Sequence, residues 1–178
     1  MTSRIILAGF GGQGILFAGK QLAKTAMHKG RHVSWLPSYG PEMRGGAANC
    51  SVIISDKEIG SPIISQPDIL VALSLPSFSK FEPAVSEGGL LFANSSLIPE
   101  KSKRGDIKAH YIPATELAAK NGLAGGANVI MLGYLLYVTR LFDYDELIGN
   151  ILSSIPASKS ALIEGNKKAL LLGYEYRG

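Results

Sequence analysis

The chain has 178 residues, 46% of them hydrophobic and 18% charged, which fits one folded domain and excludes a disordered or fibrous chain. Its net charge of +4 comes from scattered Lys and Arg; this suits an anionic small molecule or an acidic partner and, without aromatic–basic interleaving, argues against nucleic acid. One cysteine, Cys50, rules out an internal disulfide and a cysteine-held iron–sulfur cluster. The first apolar run is too short for a signal peptide and no stretch is long enough for a bilayer, so a cytoplasmic protein without membrane attachment is expected.

Arg4 to Ala8 is a short apolar run ending at glycines, which predicts a buried strand. GFGGQG follows, and then Ile15 to His28, where Ile15, Ala18, Leu22 and Ala26 recur at helical spacing with Lys20, Gln21 and Lys24 between them. Gly30 stops that helix, and His32 to Leu36 is a second strand. Strand, glycine turn, helix and strand are the opening unit of a doubly wound fold. Pro37 to Gly46 reads as a loop, Asn49 to Ile54 as a strand and Ile59 to Ile64 as irregular or a short edge strand. Buried strands are expected at Ile69–Leu73 and Leu90–Ala93, a short helix at Pro76–Val85 and a weaker strand at Ile107–Ile112. The last third is helical: Ala114–Lys120, then Asn128–Leu141, then the amphipathic Asp143–Ser154 and Ser158–Tyr174. Asn128–Leu141 is apolar nearly all round, so it belongs between other elements, with Asn128 as its cap.

Gly9-Phe10-Gly11-Gly12-Gln13-Gly14 has the G-x-G-x-x-G spacing in the right context. Glycines let the backbone turn tightly, and free N–H groups of the following helix face an anion. A NAD site usually adds an acidic residue at the end of the second strand, but that region reads Ser34-Trp35-Leu36-Pro37-Ser38. Three readings stand side by side: a dinucleotide, another phosphate or anion, or glycines that serve only strand–helix packing. Gly11, Gly12, Gln13 and Gly14 are the candidate ligand residues of this turn, Gln13 being either a donor to an anion or a solvent-facing first-turn residue.

The second loop, Ser38-Tyr39-Gly40-Pro41-Glu42-Met43-Arg44-Gly45-Gly46-Ala47-Ala48-Asn49-Cys50, is expected at the same carboxyl edge of the sheet, where open α/β sheets bind ligands. It combines a phenol, a carboxylate, a guanidinium and three glycines, an unusual mixture for a plain connection. Arg44 can make a forked contact with a phosphate, or it can pair with Glu42 or another chain. Gly45 and Gly46 permit an unusual backbone path, and Asn49 is suited to satisfying loop backbone groups.

These two motifs in order, with SPIISQPDILVALS at 61–74 and the apolar helix opening at Asn128, resemble the gamma subunit, or gamma domain, of the 2-oxoacid:ferredoxin oxidoreductases. The resemblance covers most of the chain and is weakest beyond about Asp143. It implies a Rossmann-like α/β fold: one gamma-type domain over residues 1–178 with an open, mostly parallel sheet flanked by helices. It also implies a role inside a complex that converts a 2-oxoacid and coenzyme A to an acyl-CoA, carbon dioxide and reduced ferredoxin, and it leans to 2-oxoglutarate. Alpha, beta and ferredoxin-like delta subunits would hold thiamine diphosphate, magnesium and the iron–sulfur clusters. This chain would bind no cofactor alone and contribute to the coenzyme A site through Gly11, Gly12, Gln13, Gly14, Tyr39, Glu42, Arg44, Gly45, Gly46 and Asn49. Tyr39 would lie at the thiamine site or cap an interface.

The residues present agree with a partner-dependent role. The chain has no Gly-Asp-Gly signature for thiamine diphosphate and no Cys-x-x-Cys run. His28, His32 and His110 read as surface or packing residues, so no catalytic residue is assigned. The alternatives are the beta subunit of indolepyruvate oxidoreductase, which shares the glycine turn, and an autonomous nucleotide-binding oxidoreductase. Partners are expected on the apolar face of 128–141 and on the Pro37–Gly46 loop, Cys50 as a buried inert thiol, and Lys101, Lys103 and Arg104 as a solvated turn.

Overall fold

The computed structural model describes residues 1–39 and 47–178, Tyr39 by its backbone alone. Among these residues lie six strands: β1 (Thr2–Phe10), β2 (His32–Tyr39), β3 (Ala47–Ser55), β4 (Ile69–Ala72), β5 (Leu90–Asn94) and β6 (Lys108–Ile112). Six α-helices connect and flank them: α1 (Ile15–His28), α2 (Leu75–Phe81), α3 (Ala114–Lys120), α4 (Ala127–Thr139), α5 (Tyr144–Ser153) and α6 (Leu162–Tyr174). The sheet order is β2-β3-β1-β4-β5-β6. β1, β4, β5 and β6 are parallel, with Ile5 opposite Ile69, Ile69 opposite Leu90 and Leu90 opposite Lys108. This is the open α/β sheet that the apolar runs and the glycine turn predict.

Alternation along the strands divides the core in two. Ile5, Leu7, Val71 and Phe92 point to one face, where α1, α3, α4, α5 and α6 cover them. Ile6, Ala8, Leu70, Ala72, Leu91 and Ala93 point to the other, where Phe78 of α2 and Ile98 close a smaller cluster. Removing such buried side chains from water is worth roughly 1.5–3 kcal/mol each.

Four expectations need correction. β2 is not the neighbour of β1: β3 lies between them, antiparallel to both, with Ala8 opposite Asn49 and Ser38 opposite Asn49. The opening unit is therefore a strand, a helix and a β-hairpin inserted back toward β1, because the chain after β2 returns by the short connection 40–46 instead of crossing over. Pro37 and Ser38 belong to β2 and not to the loop, paired with Cys50 and Asn49. Asn128 does not cap α4; Gly126 stands at the N-cap, and the Asn128 Nδ2 donates to the Gly14 carbonyl at 3.2 Å. Arg104 is not merely solvated: its guanidinium donates to the carbonyls of Glu82, Pro83 and Val85 and pairs with Asp106, pinning the β5–β6 connection to the turn that follows α2.

α4 is buried between other elements, as its all-round apolarity predicts, but it offers no free apolar face to a partner. Asn128 to Leu136 are buried within the chain itself. α6 seals this helix through two glycines: a Cβ on Gly133 would fall 2.1 Å from the Leu170 carbonyl oxygen, and one on Gly173 would fall 1.9 Å from that of Ile130. A polar seam fastens α5 to α1, where Gln21 Nε2 donates to Ser154 Oγ at 3.1 Å and Asn150 Nδ2 donates to Thr25 Oγ1 at 3.2 Å. Among the described residues no helix is long and apolar enough to cross a membrane.

Candidate functional site

The strand register brings the two motifs together. Phe10, the last residue of β1, faces Ala47, and Tyr39, the last of β2, faces Ala48. Both ends of the connection 40–46 therefore stand at the carboxyl end of β1, next to the glycine turn. The chain leaves β1 through α1 toward β2 and leaves β4 through α2 toward β5, so the crevice between β1 and β4 is the switch point of the sheet, where open α/β folds bind ligands.

Gln13 builds the turn from inside. Its backbone N–H donates to the Phe10 carbonyl at 3.2 Å, its Oε1 accepts from the Phe10 N–H at 2.6 Å, and its Nε2 donates to the Leu73 carbonyl at 3.2 Å. Its amide thus ties β1 to the end of β4 and keeps one N–H of Nε2 beyond the bond to Leu73. Gly14 takes the N-cap of α1 in the left-handed region, φ 72°. A Cβ there would meet Asn128 Nδ2 at 2.2 Å, so Gly14 is a packing glycine. Gly12, at φ 93°, is exposed and would meet nothing. Gly12 is the part of the motif that faces outward, while Gly11 is half-buried.

The first turn of α1 carries no acidic residue and no side-chain cap among the described residues. The terminal N–H groups and positive dipole end of such a helix start favour an anion. That fits a phosphate on a physical ground independent of the motif. No cluster of three or more His, Cys, Asp or Glu among the described residues could hold a metal ion.

Asn49 sits inside β3, half-buried, in the strand expected over Asn49–Ile54. Cys50 beside it is fully buried and donates to the Ile15 carbonyl at 3.7 Å. Burial pushes the thiol up to about 12, against smaller opposing effects of the Trp35 indole and the Gly19 backbone. It is protonated and unreactive at neutral pH. Of the remaining candidates, Tyr39 ends β2, its side chain being outside the described atoms. Glu42, Arg44, Gly45 and Gly46 lie outside the described residues.

Beside the glycine turn, over the ends of β1 and β4, opens a cleft of about 290 Å³. Gly12, Gln13 and Leu73 form one wall; Leu97, Thr115 and Ala119 belong to the others, and the turn Leu123–Ala127 closes the far side. Sequence reasoning missed this wall. Its one signal is the small-residue run Gly122-Leu123-Ala124-Gly125-Gly126 ahead of α4, a second glycine-rich turn at a helix start. A shallower groove between α5 and α6, lined by Tyr144, Ile148 and Leu171, shares no residue with the turn. His110 packs in the core layer, stacked on Phe92 with ring centroids 5.1 Å apart and edge-on to Tyr134.

The sequence matches the family described as pyruvate ferredoxin/flavodoxin oxidoreductase over residues 4–176. It is 39% identical over 173 residues to the ketoisovalerate oxidoreductase subunit VorA of Methanothermobacter thermautotrophicus, a match covering 97% of this chain and 36% of that protein. The chain thus spans about a third of the length of that relative. It is 36% identical over 178 residues to the 2-oxoglutarate synthase subunit KorC of Methanocaldococcus jannaschii, covering 98% of this chain and 94% of the relative. The crystal structure of the keto/oxoacid ferredoxin oxidoreductase gamma subunit from Geobacter sulfurreducens superposes with a TM-score of 0.84 at 31% identity, covering 98% of this chain and 95% of that one.

Proposed function

This chain belongs to the pyruvate ferredoxin/flavodoxin oxidoreductase family, and from that premise we propose that it is the small, gamma-type subunit of a 2-oxoacid:ferredoxin oxidoreductase complex. In this reading residues 1–178 are one gamma-type domain, inactive alone. The complex converts 2-oxoglutarate or a related 2-oxoacid and coenzyme A to an acyl-CoA and carbon dioxide, and passes electrons to ferredoxin. Thiamine diphosphate, magnesium and iron–sulfur clusters are held by alpha, beta and ferredoxin-like delta partners. This chain's share is part of the coenzyme A site, in the cytoplasm.

The observation that carries the reading is the hairpin register. It sets both ends of the segment bearing Tyr39, Glu42, Arg44, Gly45 and Gly46 beside a helix N-terminus that has no side-chain cap among the described residues. An arginine carried by the connection between those two ends, together with the N–H groups of a helix start, suits a ligand with several phosphate charges, as coenzyme A has. The beta subunit of indolepyruvate oxidoreductase is the weaker alternative match.

The test is affinity purification from the native source, identification of the co-purifying chains, and assay with a panel of 2-oxoacids. A chain recovered alone, or one that turns over a 2-oxoacid unaided, defeats the proposal. Within the complex, Arg44→Ala should weaken coenzyme A by about 10- to 150-fold, since a hydrogen bond to a charged group is worth about 1.5–3 kcal/mol. Arg44→Lys should recover part of this, because it keeps the charge and not the fork. If Arg44→Ala leaves coenzyme A affinity intact and releases the subunit instead, Arg44 is an interface anchor.

A further inference from the structure

We propose that the C-terminal ends of α4 and α6 form a docking surface for an acidic segment of another protein, held by Arg140 and Arg177 on a platform of tyrosines. The surface is remote from the glycine turn and independent of the coenzyme A reading. α4 begins at that turn, where Asn128 reaches Gly14, and Arg140 stands about 18 Å further along its axis at 1.5 Å per residue.

Ion pairing sets these two arginines apart. Arg4 pairs with Asp68, Arg31 with Asp56 and Arg104 with Asp106. Arg140 and Arg177 are exposed and form no ion pair among the described residues. Asp145 and Glu175 stand near Tyr144 and reach neither guanidinium. The two cations nevertheless share one ring: Arg177 lies 3.9 Å and Arg140 5.0 Å from the centroid of Tyr137. Like charges gathered on one side chain are a standing attraction for an anion.

A single cation at a helix C-terminus is ordinary, because it faces the negative end of the dipole. Arg177 meets that need for α6 through Nη1 alone, which donates to the carbonyls of Tyr174 at 2.9 Å and Tyr176 at 3.0 Å. Arg140 uses Nη1 on the Tyr174 hydroxyl at 2.5 Å. In both residues Nε and Nη2 are left without a partner among the described residues. That edge of a guanidinium is a fork that takes a carboxylate through two parallel hydrogen bonds. Arg140 is also the one non-glycine residue at positive φ among the described residues, 53° at the C-cap of α4. Glycine or asparagine is usual there, so an arginine in this conformation points to a use of its side chain.

The platform is ordered before anything binds. Tyr137 and Tyr174 pack edge to face with centroids 6.0 Å apart, and Tyr144 lies 5.1 Å from Tyr174. Arginines already stacked on rings lose less freedom on docking, and tyrosine and arginine are the residue types on which protein interfaces concentrate their binding energy. Two open forks side by side match carboxylates spaced along a peptide. A second copy of this chain is the wrong occupant, since an isologous contact would set the same cations against each other.

The experiment titrates the full chain with a fluorescent peptide of alternating Glu and Ser, read by anisotropy, with inorganic phosphate as competitor. Wild type is compared with Arg140→Ala/Arg177→Ala, with Arg140→Lys/Arg177→Lys, and with Lys57→Ala/Lys103→Ala, which removes two exposed charges from elsewhere. Thermal melts establish that each is folded. The expected result is an affinity lowered at least about tenfold in the alanine pair, which corresponds to ~1.4 kcal/mol. The lysine pair, which keeps the charge and not the fork, should lose less, and the control should bind as wild type does. If wild type does not bind the peptide, or the control loses as much as the alanine pair, only net charge is at work and the proposal falls. If phosphate displaces the peptide where chloride of equal ionic strength does not, the pair is a general anion site and the assignment to a carboxylate segment is wrong. If the alanine pair does not fold, the lysine pair decides, and binding equal to wild type overturns the proposal.

Discussion

Burial, with a smaller contribution from nearby Lys108, holds the pKa of His110 below the ordinary imidazole value. Its Nε2 is buried and unpartnered, while Phe92 and Tyr134 pack against its ring. The sign of the pH effect follows. Below about pH 6.5 the unfolded chain takes up a proton at this residue, whereas the folded chain resists it until lower pH. The unfolded state then binds more protons, so stability falls as pH drops through that window and is fully present above it. Urea midpoints at pH 7.5, 6.5 and 5.5 should decline, and His110→Phe, which keeps the stacking, should flatten the decline. An equal slope in the variant would assign the effect to other groups. Neither this environment nor that of Arg104 was legible in the sequence. A lone histidine and a basic cluster look alike whether solvated or enclosed, and what encloses these two comes from segments about 20 residues away or more: Glu82, Pro83 and Val85 around Arg104, Tyr134 against His110. The glycines at 9, 11, 12 and 14 were legible as a turn, but the packing role of Gly14 depended on Asn128, 114 residues later.

At the scale of elements, the contact of α4 with α6 is set by Gly133 and Gly173, each lying against a carbonyl of the other helix. A methyl group at either site meets backbone and not a movable side chain. Gly133→Ala and Gly173→Ala should each cost about 1–3 kcal/mol or more, as overpacking does, against the small gain that alanine brings to an exposed helix position. Gly149→Ala on α5, where a Cβ meets nothing, is the control and should not destabilise. Thermal melts of the three variants decide it; comparable midpoints would mean that the two helices can separate freely. That α4 is buried followed from its composition, since a helix apolar all round has no face for water. Which partner buries it did not follow, because helix contacts are chosen by shape between distant segments. Strand pairing was hidden for the same reason. β2 and β3 were readable as strands, but the insertion of β3 between β2 and β1 is a matter of register, and alternation within each strand is the same in either order.

Taken whole, the molecule carries an ion-paired end and, opposite it, the end with the candidate site. At the amino edge of β1 the terminal ammonium of Met1 and the guanidinium of Arg31 both pair with Asp56, and they hold that carboxyl below the ordinary aspartate range, the ammonium most of all. At the carboxyl edge lie the glycine turn, the cleft and the two ends of the connection 40–46. That the glycine turn lies at the carboxyl edge was legible, because a glycine turn after a strand marks that edge wherever it occurs; the cleft wall from α3 and α4 was not, since it carries small apolar residues with no chemical signature. The hairpin has a consequence for how such a molecule can change over time. Its strands are zipped along their whole length, Tyr39 to Ala48 at one end and His32 to Ser55 at the other, so the chain entropy of the connection is set by closing a short loop between fixed ends. Doubling such a loop costs only about 0.6 kcal/mol. Replacing residues 40–46 by a Gly/Ser stretch of equal length should therefore leave the melting temperature within a few degrees, as a ΔΔG near 1 kcal/mol moves it by about 2–8 °C, while coenzyme A affinity collapses. A large loss of stability instead would show that the loop belongs to the folding core. On the expected outcome, ligand choice and fold are inherited almost separately: lineages can rewrite these seven positions under selection for a new substrate while the scaffold beneath pays no penalty and drifts on its own clock.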